Sequence, residues 1–322
     1  MAAFDALLGQ PQAVGLLNQA IAQQRLAPAY LFAGPPGVGR TLAARCFVAT
    51  LFNSGQDSQA GNRLWERLSQ QNHPDLLWVQ PTYLHQGQPV TAATAAELGL
   101  KPKAPPQIRL QQVRAIAQFV SRPALESQRN VVVLEQAETM AEAAANGLLK
   151  TLEEPGQATL ILITPTGDCL LPTLVSRCQR IPFYRLSQTT LAQVLQQTGH
   201  GAILEHPEIL GIAQGSPGMA ISSWQQLETM PPDLLQTLRQ PPASLRQALE
   251  VGRAIAQTLD TEAQLWLVDY LQHQYWHQAN TSTAIPRLQA LEQTRRAIRS
   301  YVQPRLVWEV TLMRMVAPSS VT

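Results

Sequence analysis

The sequence predicts a parallel α/β domain followed by an all-helical C-terminal region. Three observations carry this. The apolar run Ala29-Tyr-Leu-Phe-Ala33 leads into a glycine loop, Gly34-Pro-Pro-Gly-Val-Gly-Arg-Thr41, and then into a helix-forming stretch. A phosphate-binding loop needs that order, because the glycines turn backbone N–H groups toward an anion and the helix N-terminus adds a favourable dipole. Asn130-Val-Val-Val-Leu134 and Thr159-Leu-Ile-Leu-Ile163 are apolar throughout rather than alternating, as in strands buried on both faces of a parallel sheet. After Pro182 no strand pattern recurs, and apolar residues fall at helical spacing.

In chain order, residues 5–25 are expected to be helical, with Leu7, Leu8, Val14, Leu17 and Ile21 near helical spacing. A strand at 29–33 and a helix at 41–52 flank the loop. Leu76-Leu-Trp-Val79 reads as a second strand. Residues 81–107, rich in Pro, Ala, Gly and Gln and containing Pro102, Pro105 and Pro106, read as a surface insertion that is at least partly mobile. A helix begins at Val113 and runs to Val120. The alanine-rich helix Ala141 to Glu153 is stopped by Pro155-Gly156. Strands alternating with helices imply a parallel sheet. Short helices follow at 186–197 and 207–213, and Gly215-Ser-Pro-Gly218 breaks the chain. Segments 244–258, 261–278, 285–300 and 304–316 then form a helical region, punctuated by Pro231-Pro232, Pro241-Pro242 and Pro304. The expected division is 1–184, 185–222 and 223–322.

The 322 residues suit two or three domains. The charged fraction is 14%, low against about 25% in typical domains, and glutamine fills much of the polar surface. A net charge of +2 neither requires nor excludes nucleic acid. Cys46, Cys169 and Cys178 form no C-x-x-C pair, which argues against a disulfide framework or a cysteine-rich zinc site and makes a reducing compartment the default. The start Met-Ala-Ala-Phe-Asp lacks a basic region followed by a long apolar one, so no signal peptide is expected. No run approaches the roughly 18 apolar residues of a membrane span. A cytoplasmic protein without a membrane partner is expected.

The loop fits G-x-x-x-x-G-K-[ST] at every position but one, where Arg40 stands for lysine. Gly34, Gly37, Gly39, Arg40 and Thr41 are the candidate phosphate residues. Arginine keeps the charge but is longer, planar and forked, so the exchange is not conservative. Thr41 keeps the hydroxyl that would face Mg²⁺. An active site would also need an apolar strand ending in Asp-Glu. Here Val131-Val-Val-Leu134 ends in Glu135-Gln136. Glu135 is one methylene longer than aspartate, and Gln136 cannot act as a general base.

The run Ala143-Ala-Ala-Asn-Gly-Leu-Leu-Lys-Thr-Leu-Glu-Glu-Pro155, and Ser176-Arg-Cys178 about twenty residues later, resemble the signature of bacterial DNA polymerase III clamp-loader subunits. Leu8-Gly-Gln10, Arg25-Leu26, Ala29-Tyr-Leu-Phe32 and His73-Pro-Asp75 are similar to the same family. The likeness covers residues 4 to about 184 and is one of architecture beyond. It implies an AAA+ protein: a RecA-like α/β domain (1–184), a small helical lid (185–222) and a helical collar (223–322).

Three departures from that family coincide: Arg40, the Glu135-Gln136 strand end, and Gly218 where the lid offers an arginine to the γ-phosphate. Together they resemble the delta-prime kind of subunit, which tolerates decay of the ATP site. The resemblance makes Arg177 an arginine finger reaching a neighbouring motor subunit's ATP, and Thr164 the strand-end phosphate sensor. It implies the motor and delta subunits as partners, and the sliding clamp and primed DNA through the complex. Many relatives carry a four-cysteine zinc module before His-Pro-Asp. Residues 53–72 have no cysteine, so no zinc is expected. No cofactor is required on this reading, although residual ATP or ADP binding stays open. Alternatives are an active ATPase of the same family with Arg40 serving for lysine, or another AAA+ DNA machine such as a branch-migration motor.

Overall fold

The computed structural model describes residues 4–53, 58–100, 104–278 and 281–316. The first three residues of the N-terminal stretch, positions 54–57 of the cysteine-free segment and Pro102 of the insertion lie outside the described residues. The chain forms two compact units. One comprises the described residues up to Val194 together with Gly215–Pro217; the other comprises Leu195–Gln214 and the chain from Gly218 on.

The first unit opens with α1 (Pro11–Ala22), β1 (Ala29–Ala33), α2 (Arg40–Phe52), α3 (Ser58–Ser69) and β2 (Leu76–Val79). A hairpin of β3 (Tyr83–His85) and β4 (Gln88–Val90) and a short α4 (Ala92–Glu97) follow. Then come α5 (Leu110–Val120), β5 (Val131–Leu134), α6 (Glu142–Glu153), β6 (Thr159–Thr164), α7 (Pro172–Val175) and β7 (Gln179–Pro182). The chain continues through α8 (Gln188–Gln197). The main sheet runs β2-β5-β6-β1-β7, with every pair parallel.

The apolar runs behave as expected: every residue of β1, β5 and β6 is buried. On one face Leu134, Leu160 and Leu162 join Val113 and Ile116 of α5 and Leu148 and Leu152 of α6 in a single cluster. On the other face Tyr30 meets Phe47 of α2 edge-on at 5.1 Å. A large apolar side chain gains about 1.5–3 kcal/mol on full burial, and helices covering both faces apply that gain to every position of the central strands.

Two elements escape a reading by apolar pattern. β7 pairs with β1, placing Gln179 beside Tyr30 and Ile181 beside Phe32. It is an edge strand with only Ile181 fully buried, so its composition is mixed. The insertion 81–107 carries the β3–β4 hairpin and α4. Gln86 and Gly87 both have positive φ (49° and 81°), the conformation of a two-residue hairpin turn. Thr91 Oγ1 caps α4 by accepting from the Thr94 N–H at 3.2 Å. Reciprocal 3.0 Å backbone bonds between Thr82 and Gln107 close the insertion at its base. Local turn chemistry overrides the loop-like composition there.

The second unit contains α9 (Pro207–Ala213), α10 (Pro217–Thr229), α11 (Pro232–Leu238), α12 (Leu245–Thr258), α13 (Thr261–Gln278), α14 (Thr281–Arg299) and α15 (Pro304–Met315). α12 and α15 approach closely at Gly252, where a Cβ would stand 2.9 Å from the Glu309 backbone nitrogen. Trp308 is fully buried, and its Nε1–H donates to buried Gln264 Oε1 at 3.0 Å. Trp266 and Tyr270 stack at 5.2 Å within the core, whereas Trp276 is exposed. The His273 and His277 rings lie 4.5 Å apart.

His73-Pro-Asp75 has a structural explanation. Asp75 is buried, and its carboxylate accepts from the backbone N–H groups of Leu125, Glu126 and Ser127 (2.7, 2.8 and 2.7 Å) and from the Ser127 hydroxyl (2.8 Å). Burial alone would raise its pKa; these donors outweigh that and hold it below the ordinary carboxylate value. A depressed carboxyl contributes stability that is present above its unfolded pKa of about 3.9 and is lost as pH falls through the folded value. Asp75→Ala is expected to cost about 3 kcal/mol, read as a lower urea midpoint at pH 7. Asp75→Asn is expected to flatten the loss of stability below about pH 4; an unchanged acid limb would refute the assignment.

Candidate functional site

The glycine loop leaves β1 at the carboxyl edge of the sheet. The Gly34 N–H donates to the Thr164 carbonyl at 3.3 Å, which ties the start of the loop to the end of β6. Gly34 has no room for a side chain, since a Cβ would stand 2.4 Å from the Phe183 carbonyl oxygen. Gly39, at the N-terminus of α2, has φ +103°, a conformation glycine adopts without strain. Gly37 also has a positive φ, 74°.

Two buried side chains satisfy the loop's carbonyls. Gln10 donates through Nε2 to Val38 O (3.2 Å) and Tyr184 O (2.7 Å), and its Oε1 accepts from the Tyr184 N–H (3.1 Å). Ser216, fully buried, donates to Pro36 O at 2.8 Å. Both residues belong to motifs visible in the sequence, Leu8-Gly-Gln10 and Gly215-Ser-Pro-Gly218, but their role as loop donors emerges only from the geometry.

Arg40 opens α2, with Thr41 half-buried beside it. Burial pulls the Arg40 guanidinium below its ordinary pKa, opposed by the charges of Glu138 and Glu135. Its Nη1 is buried without a hydrogen bond among the described residues. Glu138, on the turn after β5, was not singled out from the sequence, although it lies just two residues past Gln136. Burial pushes its carboxyl up, against the pull of its own backbone N–H and of the Arg40 charge. Thr164 is fully buried and donates to Thr166 O at 3.0 Å.

Glu135 is committed elsewhere, accepting from Gln80 Nε2 at 2.7 Å, while the Gln80 carbonyl accepts from Gln112 Nε2 at 2.8 Å. Gln136 is exposed and sits in the left-handed region at φ 49°. The structure thus gathers Arg40, Glu135, Glu138 and Thr164 around the loop. The group contains a cation with internal countercharges and offers no base at position 136. A crevice of about 550 Å³ at the carboxyl ends of β6, β1 and β7 is lined by Gln12, Thr166, Arg180 and Tyr184 among others; of the loop's site residues it includes only Gly34.

Arg177 stands apart from this group. It follows α7, its side chain is 39% exposed, and it bonds to Glu153 Oε1 and Thr173 O, each at 2.9 Å. Ser176 donates to Thr173 O at 3.1 Å. Cys178 packs against the main core, with its thiol pushed up to about 11 by burial. Cys46, the cysteine nearest the zinc-module position, is a buried core residue of α2. No helix among the described residues is long and apolar enough to cross a membrane.

This sheet order, with a glycine loop after β1 and polar ends to β5 and β6 beside it, defines an AAA+-type α/β fold, here followed by a helix-rich region. A family described as DNA polymerase III, delta subunit, matches residues 9–187, and one described as cyanobacterial DNA polymerase III delta prime, C-terminal domain, matches 189–315. The chain belongs to the DNA polymerase III delta-prime family.

It is 34% identical to the delta' subunit of Bacillus subtilis over 55% of this chain and 48% of that one. It is 33% identical to the delta' subunit of Pseudomonas aeruginosa over 64% of this chain and 58% of that one. The matched part is therefore about half the length of these relatives. A gamma subunit-related protein of Thermotoga maritima has the same fold, with a TM-score of 0.53 at 16% identity over 94% of this chain and 98% of that one.

Gln10→Ala leaves the Val38 and Tyr184 groups short of partners and is expected to cost about 2 kcal/mol, measured as a shift in the urea midpoint. Combined with Ser216→Ala it should be non-additive, since both side chains hold one loop.

Proposed function

We propose that this chain works as a delta-prime-type subunit of a clamp loader: it turns over no ATP itself and supplies Arg177 to the ATP site of a neighbouring motor subunit. The observation that carries this reading is the contrast between two arginines. Arg40, in the loop, is half-buried, and the charges of Glu138 and Glu135 act on it. Arg177 is exposed, and its hydrogen bonds go to Glu153 and Thr173 rather than to the phosphate loop. A guanidinium at a subunit surface can meet a γ-phosphate in trans and stabilise charge as it leaves.

In this reading residues 185–222 serve as the lid and 223–322 as the collar that joins the motor and delta subunits. The complex then opens the sliding clamp and places it on primed DNA in the cytoplasm. The chain needs neither nucleotide nor zinc.

The test is steady-state ATP turnover by the loader assembled with clamp and primed DNA, comparing the native chain with Arg177→Ala and recording the isolated chain alone. The expected result is a steep fall at the site this chain serves, toward the roughly 10³-fold that arginine fingers supply, with assembly intact and the isolated chain silent. Unchanged turnover removes the finger. Turnover by the isolated chain that disappears in Arg40→Ala would make this chain an ATPase in its own right.

A further inference from the structure

Arg177 does not point freely outward. Its Nη1 bonds the carbonyl of Thr173, four residues earlier, so the side chain lies back along α7. Its Nη2 bonds Glu153 Oε1, at the last residue of α6. To reach anything beyond this chain's surface the guanidinium has to leave both acceptors. Glu153 is itself 53% exposed and has no other partner among the described hydrogen bonds and ion pairs.

The geometry points to Glu153 as a positioning residue that parks Arg177: it holds the guanidinium folded back and neutralised until a nucleoside triphosphate γ-phosphate on the neighbouring subunit takes its place. This rests on the finger reading of Arg177.

Two physical facts set the direction of the effect. A cation paired with a carboxylate at 2.9 Å presents little net charge to a phosphate, and the carboxylate repels that phosphate. A pair this exposed is also weak, worth a factor of about two to five in an equilibrium. Charge-assisted bonds to phosphate are stronger, particularly when the guanidinium fork engages two oxygens. The exchange therefore runs toward phosphate when one is present and back to Glu153 when it departs. Glu153 lowers the affinity of the neighbouring site for ATP by a small, fixed factor and keeps Arg177 off unrelated anions.

The experiment uses the assembled loader with its native partner subunits. ATP affinity is read by titrating a non-hydrolysable ATP analogue, and turnover is read against ATP concentration. Glu153→Gln keeps the shape and removes the charge. It is expected to tighten analogue binding and lower KM about two- to five-fold, with kcat preserved. Glu153→Asp should restore the native values. In an Arg177→Ala background Glu153→Gln should change nothing, which separates parking from a structural effect of α6. If Arg177→Ala collapses turnover but Glu153→Gln leaves affinity unchanged or weakens it, parking fails and the finger stands. If Arg177→Ala is without effect, both readings fail together.

Discussion

The backbone carbonyls of a tight glycine loop cannot stay unpaired inside a domain, and Gln10 and Ser216 supply the donors that Val38 and Pro36 require. Much of the first unit is arranged around that need. Gln10 spends its whole amide on the loop and on Tyr184, binding the segment before α1 to the chain that leaves β7. Ser216 reaches Pro36 from a segment more distant in sequence. Gly34 admits the Phe183 carbonyl at a distance no side chain would allow. The loop is the point at which three separated stretches of chain are fastened.

The charges around the loop follow a second constraint. A half-buried guanidinium is favoured by countercharge nearby, and the charges of Glu138 and Glu135 act on Arg40 within its own chain. Glu135 in turn is held by Gln80, and Gln80 by Gln112, so the end of β5 is fixed by glutamine side chains. Arg177, which is exposed, lies elsewhere, at the end of α7. Position in the fold therefore separates a half-buried arginine beside the loop from an exposed one held by Thr173 and Glu153.

The central sheet was legible because burial on both faces demands unbroken apolar runs, and β1, β5 and β6 have them. The edge strand β7 was not, because only Ile181 faces the core and a strand with Gln179, Arg180 and Pro182 carries no periodic signal. The hairpin of the insertion was hidden by its composition, although Gln86-Gly87 is a turn signal that could have been weighed against the prolines. Around the loop, Arg40 and Glu135 were legible from spacing alone. Glu138 and Gln80 were not, since they converge only when β2, β5 and the turn after β5 come together. The pairing of Arg177 with Glu153 joins residues whose motifs were both visible in sequence but whose contact depends on how α6 meets α7.

The Gly34–Phe183 approach has a consequence for how such sequences are classified. Gly34 is required by packing against the chain leaving β7, and Gly39 by its left-handed backbone at the start of α2, and neither requirement mentions phosphate. A glycine signature of this kind can therefore outlive the chemistry it is usually taken to mark. Pattern matching on the loop detects a way of folding. Whether a given chain burns fuel has to be read from the residues at the ends of the neighbouring strands.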